Sequence, residues 1–143
     1  MKNKTQLVCT ISLLLGAVIV IAINFSAGWV GDKPQSVNIA ATAFYLIFWV
    51  LMLRFKPAAK ASSLLSLYTM IGSIIGFCAT AGEWGGGFVS VILFPLTFPS
   101  AALFYGLKFM KDFKIFYLIV AAISFAILIF SLITMVNKSS KTE

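Results

Sequence analysis

Charged residues cut this chain into long apolar intervals. Uncharged runs cover residues 5–31, 34–53, 61–82, 84–107 and 115–137. Each is at least 20 residues long, about what a helix needs to cross a hydrocarbon core of roughly 30 Å. The pattern predicts an all-α polytopic membrane protein, one bundle of five transmembrane helices over about 7–30, 37–53, 62–82, 88–107 and 115–136. A polar, disordered tail is expected at 137–143. The alternative is four spans with a re-entrant, proline-containing segment at 88–107.

The third interval is the most informative. Ser62, Ser66, Thr69, Gly72, Ser73, Gly76 and Thr80 recur at spacings of three and four, so they share one small helix face. Close packing rather than expulsion of water holds helices together in lipid, and a small face lets two backbones approach. Ser66, Thr69, Gly72, Ser73, Gly76 and Thr80 are therefore the expected helix-packing residues, within the chain or, through Gly72 and Gly76, between two copies. The opposite face carries Leu64, Leu67, Tyr68, Ile71, Ile75 and Phe77, which suits lipid or bulky neighbours. Past this helix comes Gly82-Glu83-Trp84-Gly85-Gly86-Gly87, which predicts a tight hairpin with an interfacial Trp and a solvated acid. A carboxylate at the mouth of a cavity is the functional alternative for Glu83.

The other intervals differ in character. Asn24 is the most polar residue of the first, which is expected to be retained as a helix because its apolar stretch exceeds that of a signal peptide. Asn24 should bond a neighbouring helix. The second interval starts small (Ala40, Ala41, Ala43) and ends aromatic (Phe44, Tyr45, Phe48, Trp49). In the fourth, Pro95 and Pro99 each remove an amide donor and clash with the carbonyls of Val91 and Pro95; a kinked or broken helix should follow, and broken helices can mark transport sites. The fifth is nearly all Ile, Leu, Phe and Ala, and reads as a peripheral helix with Ala122 and Ala126 as its contact strip.

Charge placement sets the expected threading. The chain carries 11 basic and 4 acidic residues in 143, is 61% hydrophobic and has a mean hydropathy of +1.04. Five spans with a cytoplasmic N-terminus place Lys2, Lys4, Arg54, Lys56, Lys60, Lys108, Lys111 and Lys114 inside and only Lys33, Lys138 and Lys141 outside, following the positive-inside bias. The C-terminus then lies outside; with a re-entrant fourth segment it lies inside. Trp29, Trp49, Trp84, Tyr105 and Tyr117 are the expected interfacial anchors. A net charge of +7 carried by termini and connectors is a topology signal and does not point to nucleic acid.

Candidate chemistry is sparse. Histidine is absent, no two carboxylates stand close in sequence, and Gly85-Gly86-Gly87 lacks the Lys-Ser/Thr of a phosphate loop. Cys9 and Cys78 should sit near opposite faces of the membrane, beyond disulfide reach. No cofactor, metal site or enzyme activity is expected. The residues point to a small bacterial-type cell-membrane protein whose partners are the lipid bilayer and a membrane protein or a second copy. It would act by packing as an accessory, assembly or protective subunit. A transporter or channel subunit with a cavity near Asn24, Glu83, Pro95 and Pro99 is the alternative.

Overall fold

A computed structural model describes residues 2–30, 33–53, 55–81, 88–108 and 112–137. All regular structure in them is helical: α1 (Lys2–Val30), α2 (Ser36–Met52), α3 (Lys56–Ala81), α4 (Phe88–Leu103), one 3-10 turn (Tyr105–Leu107) and α5 (Phe113–Val136). Three stretches, Lys4–Phe25, Ala58–Ala79 and Phe113–Val136, are long and apolar enough to cross a membrane, whereas Ser36–Met52 and Ile92–Leu103 are shorter apolar helices. The protein is thus a helical membrane protein, and its two short helices decide how it is threaded.

Helix α3 packs chiefly against α5, then against α4 and α1. The α3–α5 seam is antiparallel and keeps a seven-residue register. Ser62 Oγ meets Ser131 Oγ at 2.9 Å, Thr69 Oγ1 donates to Ser124 Oγ at 2.9 Å, and Gly76 lies so close to the Tyr117 ring that a Cβ there would overlap it. Two turns up α3 always correspond to two turns back down α5, as the heptad-like drift of packed helices requires. Small residues make this approach possible, and their hydroxyls also bond within their own helices: Ser66 Oγ donates to Ser62 O at 2.6 Å, Ser73 Oγ to Thr69 O at 2.7 Å and Ser131 Oγ to Ile127 O at 2.8 Å.

The two glycines of the small face serve different neighbours. A Cβ at Gly72 would strike Ser100 and the Leu96 carbonyl of α4, while Gly76 faces α5. Ser66, Thr69, Gly72, Ser73 and Gly76 are all buried; Thr80 is in α3, but its side chain lies outside the described residues. On the far face, Leu64, Leu67 and Ile71 are exposed, and Tyr68, Ile75 and Phe77 half-buried.

Helix α2 runs antiparallel to α1. Tyr45 Oη donates to Leu13 O at 3.0 Å near one end, and Asn38 Nδ2 donates to Asn24 Oδ1 at 3.0 Å near the other. Thr10 and Leu14 of α1 line a small cavity with Ala61, Leu65 and Tyr68 of α3, so α1 and α3 point the same way. The start of α1, the end of α2, the start of α3 and the end of α5 therefore share one end of the bundle. The end of α3 and the start of α5 share the other, so the chain from 82 to 112 leaves and returns at a single end. That course does not fit five successive crossings.

Three sequence expectations are corrected. Trp49 and Tyr105, assigned to the headgroup level, are 0% and 1% exposed. Trp49 stacks between Tyr45 and Phe104 (centroids 5.6 and 6.4 Å) and gives its indole N–H to Ser62 Oγ at 2.7 Å; a polar handle satisfied inside the bundle needs no headgroup. The contact strip of α5 is not Ala122 and Ala126, both exposed, but Phe116, Val120, Ser124, Ile127 and Ser131. Side-chain hydroxyls that reach across the seam outrank small apolar surface that offers nothing to bond.

Candidate functional site

The most polar place among the described residues is where α4 ends. In a continuing α-helix, Gly106 N–H would donate to Ala102 O. Here α4 stops at Leu103 and both groups lose that partner. Gly106 N donates instead to Thr42 Oγ1 at 3.1 Å, and Ala102 O accepts from Asn24 Nδ2 at 2.7 Å. Asn24 Nδ2 also donates to Thr42 Oγ1 at 3.1 Å. Side chains from α1 and α2 are spliced into the broken helix. Unpaired backbone groups are costly in hydrocarbon, and a break at membrane depth persists where neighbours satisfy it.

Asn38 extends the cluster to the start of α2. Its Nδ2 serves Asn24 Oδ1, with a long contact to Ile23 O at 3.4 Å, while its Oδ1 accepts from Gln35 N at 2.9 Å, capping an orphan donor. Gly106 is required because a Cβ would strike Asn38 O, Thr42 Oγ1 and the Ile39 backbone. Asn24 thus spends both amide protons and its oxygen on protein groups. Sequence reasoning singled out Asn24 but missed Asn38, Thr42 and Gly106, which look like ordinary helix and turn residues until α4 is placed beside them.

The prolines are handled in a related way. Helix α4 continues through both, and the Pro95 carbonyl, deprived of a donor by Pro99, accepts from Tyr68 Oη at 2.5 Å. Thr97 Oγ1 and Ser100 Oγ donate back to Leu93 O and Leu96 O at 3.2 and 2.8 Å. Phe98 packs edge-on against Phe25 of α1 (5.2 Å). Pro95 is exposed and Pro99 half-buried, and their ties are to α3 and α1, whereas Asn24 is engaged at the C-terminal end of α4.

Beyond the 3-10 turn, Lys108 is only 8% exposed. Its Nζ stands 3.8 Å over the Phe113 ring and 5.1 Å from that of Tyr105, so the return into α5 is held partly by cation–π attraction. Asp112 Oδ1 caps α5 by accepting from Lys114 N at 2.8 Å. Tyr117, half-buried, covers Gly76. Glu83, Trp84 and the side chain of Trp29 lie outside the described residues, as does 138–143. Cys9 and Cys78 are free thiols.

Two openings lie elsewhere. An apolar cleft of about 780 Å³ separates α2 from α5, and a smaller one of about 290 Å³ lies between α1 and α2, beside Gly16 and Tyr45. Among the described residues no buried side-chain nitrogen or oxygen lacks a hydrogen-bond partner, and no group of His, Cys, Asp and Glu is placed to hold a metal ion. Comparison of the chain with family models, characterised proteins and solved structures returned no match.

Proposed function

We propose that this chain is a small multi-pass cell-membrane protein without chemistry of its own, an accessory, assembly or protective subunit that engages its partner by helix packing. The single observation that carries this reading is the closure of the interior. Leu13, Tyr45, Trp49, Leu103 and Phe104 fill the centre, and the buried amides and hydroxyls around them are consumed by one another and by backbone. A solute path needs polar groups left over for the solute; the openings here are lateral and apolar. Purification in mild detergent should therefore recover a defined oligomer or a stoichiometric membrane-protein partner, and a lone monomer would contradict the proposal.

The same reading threads the chain four times, with α4 and its 3-10 turn entering and leaving on one side. The antiparallel α3–α5 seam supports it, and so does charge. Lys2, Lys4, Arg54, Lys56, Lys60, Lys138 and Lys141 then fall on the cytoplasmic side, against Lys33, Lys108, Lys111 and Lys114 outside, together with three of the four acids, Asp32, Glu83 and Asp112. Both termini are cytoplasmic in this threading. A length of 17 residues for α2 is at the short end of what crosses a bilayer.

One observation favours a transporter or channel subunit instead: a re-entrant, proline-bearing helix that ends beside a buried lysine is a design seen where ions or solutes are handled. Under that reading, Glu83→Gln alters flux or its pH dependence in liposomes. Unchanged flux removes it.

A further inference from the structure

The cleft between α2 and α5 is built like a lipid. Leu46, Val50, Ile123, Ala126, Phe130 and Ile133 form its apolar length. Its polar residues, Thr134 and Asn137, gather at one end, and the Thr134 hydroxyl is already turned back onto Phe130 O at 2.8 Å. From Ile123 to Ile133 the α5 wall rises about 15 Å at roughly 1.5 Å per residue, the depth of one leaflet of a core about 30 Å thick. The polar end opens where α2 and α5 both finish. Lys4 and Lys60 are exposed at that end of the bundle, and the chain runs on from Leu53 into Arg54 and Lys56 and from Asn137 into Lys138 and Lys141. No acid accompanies them before Glu143.

We propose that this cleft holds one acyl chain of an anionic phospholipid from the leaflet on that side, with the headgroup among the basic residues at its mouth. Apolar walls alone would accept any lipid. The concentration of positive charge at the polar end selects an anionic one, because basic residues at an inner-leaflet surface attract acidic headgroups. This goes beyond the packing reading above and does not depend on which protein, if any, is the partner.

The test uses the full chain in nanodiscs of defined composition, released into native mass spectrometry, with phosphatidylglycerol and phosphatidylcholine as the two probes. One retained phosphatidylglycerol per chain is expected, preferred over phosphatidylcholine by about tenfold at low salt and less at high salt. Ala126→Phe, which fills the cleft from an exposed position away from α3, should lower that retention to the level of phosphatidylcholine. Should Ala126→Phe fail to fold, Ala126→Leu serves, with an intermediate loss expected. Equal retention of both lipids overturns the proposal, as does phosphatidylglycerol retention unmoved by the folded variant. A wild-type dimer or partner complex that carries no lipid, but acquires one on dissociation, also overturns it by assigning the cleft to a protein. A lone monomer that keeps its lipid would sink the packing reading and leave this one standing.

Discussion

Helix α5 has two faces, and they behave oppositely. Toward α3 it presents Ser131, Ser124 and Val120, and the two helices close until hydroxyl meets hydroxyl at 2.9 Å. Toward α2 it presents Ile123, Ala126, Phe130 and Ile133, and a cleft of about 780 Å³ remains. The second face is the more hydrophobic, yet it packs less well. In water the order would be reversed, because burial of apolar surface would drive closure. In lipid the tails compete on equal terms with Ile and Phe, so contact goes to the face where small residues permit close approach and hydroxyls reward it.

Substitutions can break that contrast in order of severity. Replacing Gly72 by Leu forces a side chain into the Leu96 carbonyl, which cannot swing away, and should cost about 3 kcal/mol by the usual scale of overpacking. Gly76→Leu meets the Tyr117 ring, which can rotate outward, so about 2 kcal/mol is expected. Unfolding in mixed micelles reads both, and equal tolerance of the two would refute the assignment of these glycines to different neighbours. Asn24→Leu strands Ala102 O and Asn38 Nδ2 and should cost about 1–2 kcal/mol, with hydrogen exchange rising at Gly106 as the end of α4 loosens. A double-mutant cycle of Thr69→Val and Ser124→Ala should return a coupling of about 0.6 kcal/mol, typical of one interhelical hydrogen bond in a membrane. The smallest effect belongs to the open face: Ala126→Leu should change stability by no more than about 0.5 kcal/mol, and a loss as large as that of Gly76→Leu would mean the cleft is not there.

Much of the fold was legible because charges and small residues obey simple rules in lipid. The apolar intervals between charges became the helices, and the spacing of Ser66, Thr69, Gly72, Ser73 and Gly76 marked the face that α4 and α5 share. What could not be read was who faces whom. Gly72-x-x-x-Gly76 looks the same whether one helix or two lie against it. Trp49 was placed at an interface by its amphipathic ring, since nothing local shows that Ser62 waits 13 residues later to accept its N–H. Ala122 and Ala126 were chosen on α5 for smallness alone, and smallness without a bonding partner did not bring α2 close. The Asn24 cluster was half visible: a lone amide in an apolar helix asks for a partner, but Ala102 O becomes one only because α4 breaks at Leu103.

The count of crossings hangs on the direction of α5 relative to α3, and hence on where the chain ends. Reporter fusions placed before Met1 and after Glu143 in the same membrane measure this most directly. The account predicts both reporters on the cytoplasmic side. A C-terminal reporter on the opposite side from the N-terminal one would mean that α4 crosses, and would contradict the antiparallel seam on which the threading is built.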